Sequence, residues 1–514
     1  MTDAPWITVL GAALAPGHAE LIARARLVLG ARRHLDAAGV GPERALVLGP
    51  LAPALDTVAG LAATAAGGGS VVVLASGDPG FFGIVRALGE RFGPGALDVR
   101  PGVSSVAEAF ARLGLPWDDA AVVSAHGRDP RVAVNLCRAQ RKVAVLTAPG
   151  AGPAELGAAL LAMPGLRRRL VVASDLGSAR ERVETVTPAQ AVARDWPGVH
   201  VVLCLGEGAG GAVGPMRSVA GPAPVAEGGW ALPEGAFEHR DAMVTKAEVR
   251  ALALARLGPR PGELLWDVGA GSGSVAVECA RLGAAVVAVE RTVDGAARVR
   301  ANAAAHGVDV GVVCGSAPEA LAGLPEPDAV FVGGGGADLP AIVAACAERA
   351  RRTVVVTLAA LDRVPAVRAT LLAAGFSAEG VQLQASRLAP LPGEVTRLAA
   401  TNPVFVLWGT RARSADSTSG TGDPGSAGTL GSAGGTGRTG GAERFGGTGG
   451  TSGGGSTGGA ERIGGADRAS GADTLGSAGR AGGAERIGRG GDTTLARGSA
   501  HSTGTIGSNP GAPS

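Results

Sequence analysis

The sequence predicts an α/β protein with two folded domains in tandem, followed by a segment that does not fold. Through the first 411 residues, apolar runs of strand length alternate with longer helix-like stretches. Between residues 207 and 233 a stretch rich in Gly, Ala and Pro interrupts this alternation, which predicts an interdomain linker. From residue 414 the composition changes again, and glycine occupies 33 of the last 101 positions.

The first domain, residues 1–206, contains four apolar runs that are predicted as strands because Gly, Pro or Asp lies near each of them. These runs are residues 71–74, 143–146, 170–173 and 199–205. The first run leads into a turn with the sequence Ser-Gly-Asp-Pro-Gly, beginning at Ser76. Taken alone, this turn is equally well explained as an ordinary tight loop before a helix, since Gly, Asp and Pro are common turn residues.

The second domain, residues 234–413, opens with the most informative segment of the chain. A buried strand is predicted over residues 264–268, followed by a turn in which Gly269, Ala270, Gly271, Ser272 and Gly273 precede a helix. Glycines at alternate positions let backbone amides approach a ligand at the positive end of that helix. Further strands are predicted at residues 284–290, 328–332, 353–357 and 404–408.

An acid at the end of the second of these strands indicates an adenosine-type cofactor. Glu290 lies 21 positions after Gly269, about the spacing at which a doubly wound sheet presents a carboxylate to a ribose. Asp267 favours S-adenosylmethionine over a nicotinamide, because it supplies an acceptor for an ammonium group and would repel a pyrophosphate. Residues 271–276 also fit a loose dinucleotide fingerprint, so a dehydrogenase remains an alternative.

Composition excludes several classes of protein. Lys and Arg number 47 against 45 acids, which gives no global charge that would favour nucleic acid or an acidic membrane. The five cysteines show no metal-ligand spacing, so we expect free thiols and no bound metal. Neither a signal peptide nor a membrane span is predicted, and we expect a cytoplasmic protein.

The last 101 residues, 414–514, are predicted to be disordered. They have few large apolar residues, and burying them cannot offset a chain entropy of roughly 1–2 kcal/mol per residue. The segment repeats Gly-Gly-Ala-Glu-Arg before Phe445, Ile463 and Ile487, too short a unit for a solenoid. Docking of these copies to a partner is an alternative interpretation.

Several motifs of the second domain, taken in order, resemble a known enzyme family. They are Phe237-Glu-His-Arg-Asp, Val244-Thr-Lys-Ala-Glu-Val-Arg-Ala, the glycine turn, Ser316-Ala-Pro-Glu-Ala-Leu, Asp328-Ala-Val-Phe-Val-Gly-Gly and Asn402-Pro-Val. Together they are similar to the C-terminal module of precorrin-6Y C5,15-methyltransferases (decarboxylating), a Rossmann-like class I methyltransferase. The resemblance implies that Thr245, the glycine turn, Glu290 and Ala317 bind S-adenosylmethionine. Related modules often carry Thr-Leu-Glu where this chain has Thr357-Leu-Ala, so Asp362 would have to supply any carboxylate needed there.

The first domain resembles the tetrapyrrole methylases, whose cofactor lies in a cleft between two α/β lobes. The matching segments are Thr8-Val-Leu-Gly, Gly30-Ala-Arg-Arg-His-Leu, residues 71–83, Pro101-Gly-Val-Ser-Ser, Ser124-Ala-His-Gly-Arg and Leu203-Cys-Leu-Gly-Glu. The first loop, residues 11–17, departs from the usual glycine pattern. By this resemblance the cofactor contacts are Gly77, Asp78, Gly80, Ser104 and Ser105.

The resemblance implies a bifunctional enzyme acting on a reduced tetrapyrrole. The first domain would methylate C5, and the second would methylate C15 and release carbon dioxide from the C12 acetate. His126 and Arg128 are candidates for a direct role in the first domain, with packing of His126 as the alternative. Lys246, Arg250 and Arg387 are candidates to hold substrate carboxylates, with surface solvation as an equal alternative for each.

Three other functions remain open from the sequence. A class I methyltransferase acting on RNA or another small molecule is the nearest, although a chain without tyrosine and with 3% aromatic residues offers few surfaces for base stacking. A scaffold that retains only cofactor affinity is the second, and the dehydrogenase is the third. The sequence does not decide whether the chain forms a homo-oligomer.

Overall fold

The fold is described from a computed structural model of the chain. The structure describes residues 5–11, 17–64, 70–198, 200–208, 220–221, 229–240 and 244–411. The predicted disordered segment, most of the predicted linker and residues 12–16 of the first loop lie outside the described residues. Within these limits the chain is mixed α/β, which confirms the predicted fold class.

The first lobe of the first domain is a parallel sheet of five strands in the order β3-β2-β4-β1-β5. Its elements are β1 (Ile7–Gly11), α1 (His18–Arg24), β2 (Leu27–Gly30), α2 (Arg32–Ala37), β3 (Ala45–Val47), α3 (Leu51–Thr64), β4 (Val71–Ala75), α4 (Val85–Phe92) and β5 (Leu97–Arg100). Parallel strands end at the same edge of a sheet, so the turn that begins at Ser76 lies beside the end of β1.

The second lobe is a mixed sheet in the order β6-β7-β10-β8-β9, reached through α5 (Ser105–Leu113). Its elements are β6 (Ala121–Ser124), α6 (Pro130–Ala139), β7 (Lys142–Leu146), α7 (Pro153–Leu161), β8 (Arg168–Ser174), β9 (Arg182–Val186), α8 (Pro188–Val192) and β10 (His200–Gly206). All four strands predicted for this domain are present. Two sheets of five strands each confirm the two-lobed architecture.

The second domain is built on a seven-stranded sheet in the order β13-β12-β11-β14-β15-β19-β16. Its helices are α9 (Ala247–Leu257), α10 (Ser274–Arg281), α11 (Val293–Ala305), α12 (Leu339–Arg349) and α13 (Val364–Ala373). Its strands are β11 (Leu264–Val268), β12 (Ala285–Glu290), β13 (Gly311–Cys314), β14 (Ala329–Val332), β15 (Thr353–Leu358), β16 (Glu379–Leu383), β17 (Ser386–Leu391), β18 (Val395–Ala400) and β19 (Val404–Thr410). β11 to β15 are parallel, whereas β16 and β19 are antiparallel to their neighbours, and β17 and β18 form a separate hairpin.

Strand β11 is the middle one of the five parallel strands, and all five of its residues are buried. Leu264, Trp266 and Val268 pack into the core on one face, while Leu265 packs into the core on the other. The chain order reverses at β11, with β12 on one side and β14 on the other. Open α/β sheets bind ligands at such a switch point, beyond the carboxyl ends of the strands.

Candidate functional site

A cavity of about 1110 Å³ lies at the carboxyl ends of the parallel strands in the second domain. Its lining comes from the loops that follow β11, β12, β13, β14 and β15, together with residues 244–246 and the start of β19. Seven of the residues predicted to bind the cofactor line this cavity: Thr245, Gly269, Ala270, Gly271, Ser272, Glu290 and Ala317. The remaining two predicted for this domain, Asp267 and Gly273, do not line it.

The glycine turn requires glycine for two different reasons. Gly269, Gly271 and Gly273 all have positive φ angles, of 75°, 58° and 73°, a region that other residues rarely adopt. At Gly273 a Cβ would also lie 2.8 Å from Cγ1 of Val299. The turn can therefore pack against α11 while its first residues face the cavity.

Asp267 lies behind the turn and is 2% exposed. One carboxylate oxygen, Oδ2, accepts a hydrogen bond of 2.9 Å from the amide of Ala276, but Oδ1 has no hydrogen-bond partner among the described residues. Burial raises the pKa of Asp267 to about 7, an effect that the Ala276 amide opposes and the negative charge of Glu290 increases. A buried acceptor without a donor is costly, and a cation beside it would remove that cost.

Glu290 ends β12 and shapes the turn as well as lining the cavity. Its Oε2 accepts a hydrogen bond of 2.9 Å from the amide of Gly271. Its Oε1 accepts bonds from the amide and the hydroxyl of Thr292, at 3.0 and 2.8 Å. An ionised carboxylate has about four acceptor positions, so Glu290 can still accept from a ligand hydroxyl. Thr292, which the sequence interpretation missed, is marked in the sequence only as a helix-capping residue for α11.

The three basic residues predicted to hold substrate carboxylates have different surroundings. Arg250 is fully buried, forms an ion pair of 2.7 Å with Glu278, and donates to the carbonyl oxygens of Thr245 and Leu232. The prediction for Arg250 is therefore wrong, because its guanidinium is fully used inside the domain.

Arg387 is also committed to protein partners, since its guanidinium binds the carboxylates of both Glu234 and Glu248. These two ion pairs account for Arg387 without a substrate, and a substrate contact for it stays a prediction. Lys246 differs from both. It is half-buried, it lines the cavity, and its ammonium has no partner among the described residues.

The strand end at Thr357 contributes three lining residues that the sequence interpretation did not assign: Thr357, Leu358 and Ala359. Asp362 is exposed and does not line the cavity. Since Ala359 stands where related modules often carry Glu, this side of the cavity has no carboxylate from β15.

The predicted site of the first domain is a turn held against the loop after β5. Gly77, with φ of 58°, accepts a hydrogen bond from the amide of Gly102, and a Cβ at Gly77 would lie 3.1 Å from the carbonyl oxygen of Val103. Asp78 accepts a hydrogen bond of 2.8 Å from the amide of Gly80 through Oδ1. The structure thus brings Gly77, Asp78 and Gly80 together in one turn.

The two serines after this turn are next to each other at the start of α5. Ser104 caps the helix, because its hydroxyl accepts a hydrogen bond of 3.1 Å from the amide of Ala107. Ser105 is the first residue of the helix. This capping bond accounts for a serine at position 104 without any ligand. A contact of Ser104 with the cofactor stays a prediction.

His126 and Arg128 are exposed in the loop that follows β6. The Arg128 guanidinium lies 5.2 Å from the ring centroid of Phe82, in the turn after β4, and so connects the two lobes. The amide of His126 donates to the hydroxyl of Ser124 at 3.3 Å. A direct role for either side chain stays a prediction.

A cluster of Arg33, His34 and Ser76 lies beside the same turn. Arg33 donates to the Ser76 hydroxyl at 2.7 Å, and Nε2 of His34 lies 3.2 Å from that hydroxyl. Burial, together with the charge of Arg33, lowers the pKa of His34. The motif at residues 30–35 was matched in the sequence, but only the fold shows that it meets Ser76.

No helix in the described ranges is both long and apolar enough to cross a bilayer. No group of three or more His, Cys, Asp or Glu side chains in the same ranges is arranged to hold a metal ion.

Comparison with known families divides the chain as the two domains do. Residues 12–192 match the family described as tetrapyrrole (corrin/porphyrin) methylases. Residues 235–411 match the family described as the precorrin methyltransferase domain.

Individual relatives match one or both halves. A precorrin-6Y C(5,15)-methyltransferase (decarboxylating) of Sinorhizobium sp is 38% identical over 351 residues, which are 65% of this chain and 79% of the relative. A relative of Pyrobaculum calidifontis, named as a probable cobalt-precorrin-6B C(15)-methyltransferase (decarboxylating), is 39% identical over 34% of this chain and 93% of its own length. A cobalt-precorrin-7 C(5)-methyltransferase of Salmonella typhimurium is 32% identical over 38% of this chain and 92% of its own length.

Proposed function

Because this chain belongs to the family of precorrin-6Y C5,15-methyltransferases (decarboxylating), we propose that it methylates a precorrin at C5 and C15 and removes carbon dioxide from the C12 acetate. The first domain carries out the C5 methylation, and the second carries out the C15 methylation and the decarboxylation. The observation that carries the proposal is the cavity of the second domain, where seven predicted cofactor contacts converge.

S-adenosylmethionine is the methyl donor that this cavity fits. The glycine turn offers backbone amides without Cβ atoms in the way, and Glu290 offers acceptors for the ribose hydroxyls. The unpaired Oδ1 of Asp267 is an acceptor that the ammonium of the donor would satisfy, directly or through water. When bound, the donor supplies an electrophilic methyl group on a sulfonium.

The cavity also has room for part of a second molecule. Its volume of about 1110 Å³ exceeds the roughly 300–1,000 Å³ typical of a pocket for one drug-sized ligand. A precorrin carries many carboxylates, and the Lys246 ammonium, which has no partner among the described residues, can bind one of them. We therefore assign Lys246 to the precorrin side of the cavity.

Alignment is the main contribution of this chain to each methyl transfer. A ring carbon of the reduced tetrapyrrole donates the electron pair that forms the new carbon–carbon bond, and the bond between sulfur and the methyl group breaks. Holding the reacting atoms in line can supply on the order of 7–11 kcal/mol. In the first domain, Arg128 would hold a carboxylate near the turn at Gly77, since its guanidinium suits that group.

The test is a mass measurement of the product. Purified protein is incubated with S-adenosylmethionine and precorrin-6Y, and the product is weighed by mass spectrometry. A gain of two methyl groups with loss of carbon dioxide is the expected result. One methyl group without decarboxylation would limit the activity to the first domain, and an unchanged precorrin would refute the proposal.

A further inference from the structure

The first domain packs against the amino ends of the strands in the second domain. Nδ2 of Asn135, on α6, donates to the carbonyl oxygen of Gly262, two residues before β11. Arg131, on the same helix, forms an ion pair with Asp328, the residue before β14. Both contacts therefore lie at one edge of the sheet.

A second group of contacts lies at the same edge, before β13. The Arg168 guanidinium binds Asp309 at 3.0 Å and is almost fully buried. Met163 packs into the core of the second domain beside Leu264, and its Cε would lie 3.1 Å from a Cβ placed at Gly311. Buried hydrogen bonds and core packing make this a fixed interface, whereas exposed ion pairs alone would not.

The cofactor cavity lies at the opposite edge. Every loop that lines it from the parallel part of the sheet follows the carboxyl end of a strand. Between the two edges stands the full length of β11, which is about 17 Å for five residues at about 3.3 Å each. All residues of β11 and β12 are buried, so the packed sheet separates the cavity from the first domain.

We propose that the once-methylated precorrin leaves the chain between the two methylations and reaches the other site through solvent. This inference rests on the proposed function, since it requires two methylations by one chain. The interface holds the first domain at the amino edge, and the cavity receives its ligands at the carboxyl edge. The two sites therefore work as independent enzymes that share a chain.

Mixing two single-site variants tests the inference. Asp78→Ala disables the first site and Asp267→Ala disables the second, and an equimolar mixture is compared with the wild-type protein at the same concentration of each intact site. If the once-methylated precorrin is released into solvent, the doubly methylated product should appear after a lag in both samples, and the two lag times should agree within about twofold. A wild-type reaction without a lag, beside a mixture that lags and accumulates the intermediate, would overturn the inference.

Each variant alone serves as the control for the proposed function. At least one of the two variants, the one whose intact site acts first, should add one methyl group to precorrin-6Y and stop. Failure of both variants to add any methyl group, when the wild-type protein also adds none, would contradict the proposed function and not the release step.

A second measurement uses only the wild-type protein, so its result does not depend on whether the variants fold. Isotopically labelled precorrin-6Y is converted in the presence of a tenfold excess of unlabelled once-methylated precorrin. If the once-methylated precorrin is released, it mixes with the unlabelled compound, and the label in the final product should be diluted roughly tenfold. Undiluted label would show direct transfer within the chain and would overturn the inference.

Discussion

Asp267 should make binding of S-adenosylmethionine to the second domain depend on pH. Its pKa in the ligand-free protein is about 7, because the carboxyl group is buried. An ammonium beside Oδ1 favours the ionised form, so the cofactor binds best when Asp267 has lost its proton. Affinity should therefore rise as the pH rises toward 7.

The size of the effect follows from the ionised fraction of Asp267. With a pKa of about 7, about 1% of the carboxyl groups are ionised at pH 5 and about half at pH 7. If only the ionised form binds, the apparent Kd falls by up to about fiftyfold over this interval. The interval lies below the usual pKa of an α-amino group, about 7.7–8.0, so the ammonium of the cofactor stays protonated throughout.

Isothermal titration calorimetry at pH 5, 6 and 7 measures this effect. The chain should show two classes of site, and the Asp267→Asn substitution should remove the pH dependence of the one in the second domain. Asp267→Asn has no ionisable group at this position, so its affinity should be weaker at pH 7 and independent of pH. The loss of one hydrogen bond to a charged group is worth about 1.5–3 kcal/mol, which corresponds to roughly 10- to 150-fold in Kd.

The first site provides an internal control, since Asp267→Asn leaves it intact. Circular dichroism at each pH shows whether both proteins stay folded. If the wild-type affinity of the second site is the same at pH 5 and pH 7, Asp267 does not interact with the ammonium, and its unpaired oxygen has another explanation.

Three further substitutions test other parts of the structure. Lys246→Met should raise the KM for the precorrin in C15 methylation by about tenfold, through loss of a charged hydrogen bond of about 1.5 kcal/mol, while S-adenosylmethionine affinity is unchanged. Gly273→Ala should lower the free energy of unfolding by about 1–3 kcal/mol in urea titrations, because its φ is 73° and the new Cβ would meet Val299. Arg250→Met should cost about 3–5 kcal/mol in the same titration, since it leaves the Glu278 carboxylate buried without its partner.

A matched variant accompanies each of these substitutions. Lys246→Arg keeps the charge and should recover part of the lost affinity for the precorrin. Gly271→Ala also has a positive φ but places its Cβ in open space, so it should destabilise the domain less than Gly273→Ala. Removing both charges, with Arg250→Met and Glu278→Gln, should be less costly than Arg250→Met alone. If a substitution and its matched variant have equal effects, the contact on which that prediction depends is contradicted.

Local patterns in the sequence were enough to predict the two α/β domains and, among the cavity residues, those of the glycine turn and Glu290. Thr245 was predicted only from the family resemblance. Strand β11 is apolar except for Asp267, and the glycine turn follows it directly. Glu290 ends β12, which is parallel to β11, so the turn and Glu290 meet at the same edge of the sheet. The hydrogen bonds that Glu290 accepts from Gly271 and Thr292 could not be predicted, because they depend on side-chain rotamers.

The prediction for Arg250 was wrong, and the ion pairs of Arg387 were not foreseen, for the same physical reason. Arg250 and Arg387 are single basic residues whose partners lie far away in the chain: Glu278 is 28 residues from Arg250, and Glu234 is 153 residues from Arg387. No local pattern reveals such pairs. The hairpin of β17 and β18 was not predicted either, since exposed leucines in a polar setting, such as Leu388 and Leu398, give no clear strand periodicity.

The ion pair of Arg250 and Glu278 joins the end of the interdomain segment to the wall of the cofactor cavity. Glu278 accepts hydrogen bonds from the amides of Ala231 and Leu232, while Arg250 donates to the carbonyl oxygen of Thr245, which lines the cavity. If the cofactor contacts Thr245, these bonds predict that its binding is coupled to the ordering of residues 231–232, and such coupling acts equally in both directions. A cofactor that rigidifies Thr245 would slow hydrogen exchange at those two amides, and a strain applied to the linker would weaken cofactor binding.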